Sequence, residues 1–186
     1  MGIKWPLNLI VRSHMNYRSA LLLGSLGLCV FAPVSAADFT GDATRDAERL
    51  VVCMKSFDAE CVVTLTYVRV FEERGITREE LALRMTDMYH KLRSMGATYS
   101  SFELATAWKP ILANGRYYIF IPYSAVVDVG GQKTSQQSFL LGVSEDSGIS
   151  WKFVDGASVT QDNVMSIIPG YSGPLPLKSL DQSGTR

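Results

Sequence analysis

Arg116-Tyr117-Tyr118-Ile119-Phe120-Ile121-Pro122-Tyr123-Ser124-Ala125-Val126-Val127-Asp128-Val129 is apolar at odd and even positions alike. Side chains of a strand alternate between two faces, so this stretch predicts a central strand covered on both sides. Pro122 has no N–H to give a neighbour and predicts a local bulge. Just upstream, Asn114-Gly115 suits the positive φ angles of a tight hairpin, with Pro110 breaking the run before it. Earlier still, Phe102, Leu104, Thr106 and Trp108 alternate with Tyr99, Ser101, Glu103 and Ala105, the period of a strand with one apolar face. Downstream, Gly130-Gly131-Gln132-Lys133 turns the chain; Ser135 to Ser144 then predicts a third strand and Ile149 to Val154 a fourth. The second half is thus a four-stranded antiparallel meander.

The first half has helical rhythm. Ala47, Leu50, Val51 and Met54 form one stripe, with Asp46, Glu48 and Arg49 elsewhere on the wheel and Thr44 or Asp42 as the cap. Thr77-Arg78-Glu79-Glu80 reads as a capping box opening a helix to Met95. Its stripe is Leu81, Met85, Met88, Leu92 and Met95, and Gly96 supplies the stop. Val62 to Phe71 is ambiguous: its β-branched residues favour a strand, while Val63, Tyr67 and Val70 share a helical face. Helices followed by a meander predict an α+β fold, with the helices packed on one face of a curved sheet.

The chain has 186 residues, 18 basic and 18 acidic. That length suits one domain, and its 47% hydrophobic content can form a core. The balance conceals an asymmetry: Lys4, Arg12 and Arg18 precede an apolar run, Ala20 to Pro33, with no acidic residue before position 37. Val34-Ser35-Ala36 adds the small residues of a cleavage site, so residues 1–36 are expected to be a signal peptide cut near Ala36/Ala37, with Met1 or Met15 as the start. The run is too short for a membrane span, and Leu28 before Cys29 argues against lipidation. The rest carries 15 basic and 18 acidic residues. A mildly acidic domain excludes nucleic acid as the expected partner. Residues 37–170 are expected to form the domain and 171–186 an extended tail, in which Leu175-Pro176-Leu177 packs back. Export to the periplasm or beyond makes Cys53 and Cys61 a plausible disulfide across a turn at residues 55–60.

Few residues suggest chemistry. Ser144-Glu145-Asp146-Ser147-Gly148-Ile149-Ser150-Trp151 resembles the Asp-box of sialidases, a structural turn in which Ser144, Asp146, Gly148 and Trp151 each have a local role. His90, with Asp87 and Tyr89 beside it, falls opposite the apolar stripe of its helix and predicts a surface histidine. Arg84 lies at the stripe's edge, as an anion anchor or a snorkelling side chain. Arg84, Met88, Tyr89, Trp108, Phe120 and Phe139 are the candidate pocket residues, since ligand sites are mostly apolar with few polar anchors. Glu103, Asp128 and Asp155 lie apart along the strands. No catalytic set, cofactor motif or metal-ligand spacing is present.

From Asp46 to about Leu177 the order of elements resembles exported domains of the nuclear transport factor 2-like superfamily. The resemblance rests on Leu92-Arg93-Ser94-Met95-Gly96, Tyr118 to Tyr123, Val143 to Gly156, Ile167-Ile168-Pro169 and Leu175-Pro176. It implies a cone in which the sheet wraps the long helix around a cavity, and tips Val62 to Phe71 towards helix. It also implies either a small-ligand or protein-interaction module or a cavity enzyme of isomerase or dehydratase type. An apolar or anionic ligand, a second copy or an envelope protein are the partners expected; a structural accessory of an envelope assembly is the third role.

Overall fold

The computed structural model of the protein describes residues 36–72 and 75–176. In chain order it has helices α1 (Ala36–Lys55), α2 (Ala59–Leu65), α3 (Arg69–Glu72) and α4 (Arg78–Ser94). Strands β1 (Thr98–Leu104), β2 (Ile111–Ala113), β3 (Arg116–Val129), β4 (Gln132–Ser144) and β5 (Lys152–Asp155) follow, then a 3-10 turn (Gly156–Ser158) and α5 (Val164–Ile167). The expected signal peptide up to Ser35, with Cys29, lies outside the described residues, as do Leu177 and the final nine residues of the expected tail.

The fold is α+β. Its open antiparallel sheet runs β1-β3-β4-β5, with the short β2 also paired to β3, so it has five strands where four were expected. Both hairpin turns follow from their dipeptides: Asn114-Gly115 joins the Ala113–Arg116 pair and Gly130-Gly131 the Val129–Gln132 pair, all four residues having positive φ. Pro122 makes no bulge towards β4; it pairs with Phe139 in unbroken register. Its carbonyl accepts from Ala105 N at 2.8 Å, so its missing N–H falls at the gap between β1 and β2. The irregularity of register lies instead in β1, between Tyr99 and Ser101.

Tyr118, Ile119, Phe120 and Ile121 are all fully buried, so β3 is covered from both sides. On one face Ile119, Ile121, Leu140 and Phe153 meet Ala43, Ala47 and Leu50 of α1, Leu65 of α2 and Tyr89 of α4. On the other, Tyr118, Phe120, Phe139 and Leu141 meet Tyr67, Val70 and the chain after β5 (Val159, Val164, Ile168, Leu175). The main helices therefore share one face, and the C-terminal segment covers the other. Leu175 packs back as expected.

Three local expectations change. Val62 to Phe71 is neither one helix nor one strand: α2 ends at Leu65, Thr66 bridges Phe153 at the sheet edge, and α3 begins at Arg69. Val63 falls in α2 and Val70 in α3, with Tyr67 in the link between them, so the three never form one helical face. α1 begins well before Asp42 and Thr44, so neither caps it; Thr44 Oγ1 donates to the Thr40 carbonyl within the helix. In α4 the Thr77 cap and the Gly96 stop hold, with Ala97 N to Leu92 O and Gly96 N to Arg93 O closing the end. The buried stripe, however, runs through Leu81, Met85, Tyr89 and Leu92, leaving Met88 and Met95 outside. Tyrosine buries a larger apolar body than methionine and keeps its hydroxyl at the core's edge, so the helix turns that side inward.

Cys53 and Cys61 are at disulfide-bonding distance, with Cα atoms 5.6 Å apart. They staple the end of α1 to α2 across a turn where Phe57 has φ +51° and Asp58 caps α2 by accepting from Cys61 N. Among the described residues no helix is long and apolar enough to cross a membrane.

Candidate functional site

The helix-covered face carries a row of aromatic rings ending in polar groups. Tyr89 of α4 meets Phe57 at 5.3 Å between ring centroids, and Phe57 meets Tyr99 of β1 at 5.7 Å. Tyr99 continues to Phe102 at 5.8 Å, and Phe102 stacks on Tyr123 of β3 at 4.7 Å. The pleat puts Tyr99, Phe102 and Tyr123 on one side, because Phe102 pairs with Ala125 and Leu104 with Tyr123. At the end of the row the Tyr123 hydroxyl donates to Asp155 Oδ2 at 3.1 Å and receives from Gln136 Nε2 at 3.4 Å. Ser138, directly across the hairpin from Tyr123, donates to Asp155 Oδ1 at 3.4 Å, and Ala157 N donates to the same oxygen at 2.8 Å.

Electrostatics make this a set of donors. Burial, and then the charge of Asp155, push the Tyr123 hydroxyl well above the ordinary phenol range. Tyr89 is raised by burial, then by Tyr99 and Asp155; Tyr99 by burial and Asp155. All three stay protonated at neutral pH and can only give a proton to a hydrogen bond or receive one from a partner. A phenol whose folded pKa exceeds its unfolded value of about 10 stabilises the protein fully below that pH, and the contribution is lost as pH rises through the folded value. We therefore expect the urea midpoint to begin falling above about pH 10, and Tyr123→Phe to flatten that fall. A midpoint that is level to the alkaline limit of the native state contradicts this.

The six candidate pocket residues do not converge. Tyr89 belongs to the aromatic row. Trp108, Phe120 and Phe139 lie on the opposite face, with Phe120 edge-on to both of the others. Met88 is 44% exposed, and Arg84 pairs with Glu80 on the outer side of α4. His90 is exposed, at the rim of a surface pocket of about 410 Å³ formed by Ser56 to Glu60, Thr86, Tyr89 and Arg93. Among the described residues no three His, Cys, Asp or Glu side chains form a metal-holding group.

The Asp-box-like segment is a turn held by the side chains of Ser144, Asp146, Ser150 and Trp151. Ser144 Oγ donates to Asp146 and accepts from Gly148 N, while Asp146 receives Ser150 through N and Oγ. Burial works against the Asp146 charge, but the bonds from Ser150 and Ser144 outweigh it and hold the carboxyl below its usual range. Trp151 Nε1 donates to the Gly148 carbonyl at 3.1 Å. Asp46, only 5% exposed, reaches over from α1 and accepts from Trp151 N at 3.0 Å, a contact that its place off the α1 stripe concealed.

Sequence reasoning missed Tyr99, Tyr123, Ser138 and Asp155 as a group. A signal existed for two of them: once Gly130-Gly131 is the turn, counting outward sets Tyr123 opposite Ser138. Compared with known proteins, the chain matches no family model, no curated protein and no solved structure.

Proposed function

We propose that the chain is an exported module that binds a small, mainly apolar ligand on the helix-covered face of its sheet. The observation that carries this is the aromatic row from Tyr89 to Tyr123 ending on Asp155, Ser138 and Gln136. Ligand sites join apolar walls to a few polar anchors, and a hydroxyl or carbonyl head group fits these anchors. The conical nuclear transport factor 2-like arrangement belongs to the same proposal, supported by the order of elements and by α1, α2 and α4 sharing one face. So does export with cleavage near Ala36/Ala37: the Cys53–Cys61 pair suits an oxidising compartment.

The cavity-enzyme alternative needs a base free to accept a substrate proton. Asp155 already accepts from Tyr123, Ser138 and Ala157, which favours binding. The test is native mass spectrometry of protein taken from the cell envelope or medium. A retained small molecule is expected, with retention weakened about tenfold in Tyr123→Phe, a loss of about 1.4 kcal/mol. Protein that carries nothing, or a ligand held equally by Tyr123→Phe, overturns the reading.

A further inference from the structure

The opposite face of the sheet ends in a different chemistry. Where β3 begins and β4 ends, Glu145 Oε1 lies 2.9 Å from Arg116 Nε and 3.4 Å from Arg69 Nε, and accepts from the Tyr67 hydroxyl at 3.2 Å. Three donors thus converge on a single oxygen. Both arginines engage Glu145 through Nε. Two guanidinium groups against one carboxylate leave a positive charge over, since burial and then Glu145 push the Tyr67 hydroxyl up to about 12. Beside Arg116, close enough to raise its pKa through a side-chain hydrogen bond, lies the fully buried Tyr118 hydroxyl. Lys152 is not part of the cluster, because its Nζ is committed to the Thr64 carbonyl.

We infer that Arg69 and Arg116, with the Tyr67 hydroxyl as a further donor, form a binding site for a small oxyanion, a carboxylate or a phosphate, for which Glu145 is the resident competitor. The guanidinium fork presents paired donors that match two oxygens of such a group. A ligand oxygen bound between the two guanidinium groups neutralises the surplus charge. The site lies across the sheet from the aromatic row and is independent of any ligand there.

The test follows the Nε–Hε NMR signals of Arg69 and Arg116 in the folded chain. Sodium phosphate and sodium acetate are titrated separately, against sodium chloride at equal ionic strength. Saturable shifts of both signals are expected with at least one of the two anions. Saturation with phosphate alone assigns a phosphoryl group, and saturation with acetate a carboxylate. Glu145→Gln is expected to tighten the binding about tenfold by removing the competing charge, and Arg116→Gln to abolish it. No saturable shift in either the unmodified chain or Glu145→Gln overturns the assignment. So does an affinity that neither substitution changes.

Discussion

Gly148→Ala is expected to destabilise the protein by about 2–5 kcal/mol, combining a left-handed backbone penalty of roughly 1–2 kcal/mol with overpacking of roughly 1–3 kcal/mol. Gly148 has φ +89°, and a Cβ there would stand 1.9 Å from the Phe39 ring, which must give way. Phe39 is buried and packs against Tyr117 at 4.5 Å between centroids, so moving it loosens α1 from the sheet. Loss on this scale is a large part of a total stability of about 5–15 kcal/mol. Urea unfolding followed by tryptophan fluorescence measures it. The neighbouring Ser147, exposed at φ +62°, is the control: Ser147→Gly should be neutral or slightly stabilising. Adding Phe39→Ala to Gly148→Ala should cost less than the sum of the two, since it removes the group that clashes. Strict additivity, or a Gly148→Ala midpoint equal to the parent's, contradicts the account.

Trp151→Ala is expected to cost about 3–5 kcal/mol, the range for deleting a large buried aromatic. Its side chain is fully buried, and it covers Gly142, where a Cβ would lie 3.2 Å from the indole. Gly142 is itself tightly enclosed, so no larger neighbour there can refill the space. The substitution also strips the Gly148 carbonyl of its indole donor. Trp151→Phe separates these contributions: it keeps most of the ring and loses the bond, and should cost about 1–2 kcal/mol. The Asp46 bond survives both, because Trp151 offers it a backbone N–H. Near-ultraviolet circular dichroism and the urea midpoint report the effect, and a Trp151→Ala protein as stable as the parent would show that the turn is not a seat of the core.

Both predictions concern a segment whose local chemistry was legible in the sequence and whose reach was not. Ser144, Asp146 and Gly148 announce a turn by residue type. Nothing near them announces Phe39 or Asp46, which come from a helix about a hundred positions earlier. The candidate site divides in the same way. Tyr123 and Ser138 follow from the Gly130-Gly131 turn by counting, while Asp155 and Tyr89 join them only through the β4–β5 pairing and the rotation of α4.

The sequence by itself determined the α+β order, the doubly covered β3, both glycine-containing hairpin turns, the Thr77 cap and Gly96 stop of α4, and the Cys53–Cys61 pairing. Each depends on residues within a few positions of one another, where backbone sterics, capping and alternation act directly. Only the tertiary structure decided that Tyr89 rather than Met88 turns inward, that Thr66 leaves the helix to bridge Phe153, and that the C-terminal segment covers the second face. It also brought Arg69 and Tyr67 to Arg116 and Glu145. Those outcomes depend on which distant surfaces bury one another, and burial is a property of the whole packed chain rather than of any stretch of it.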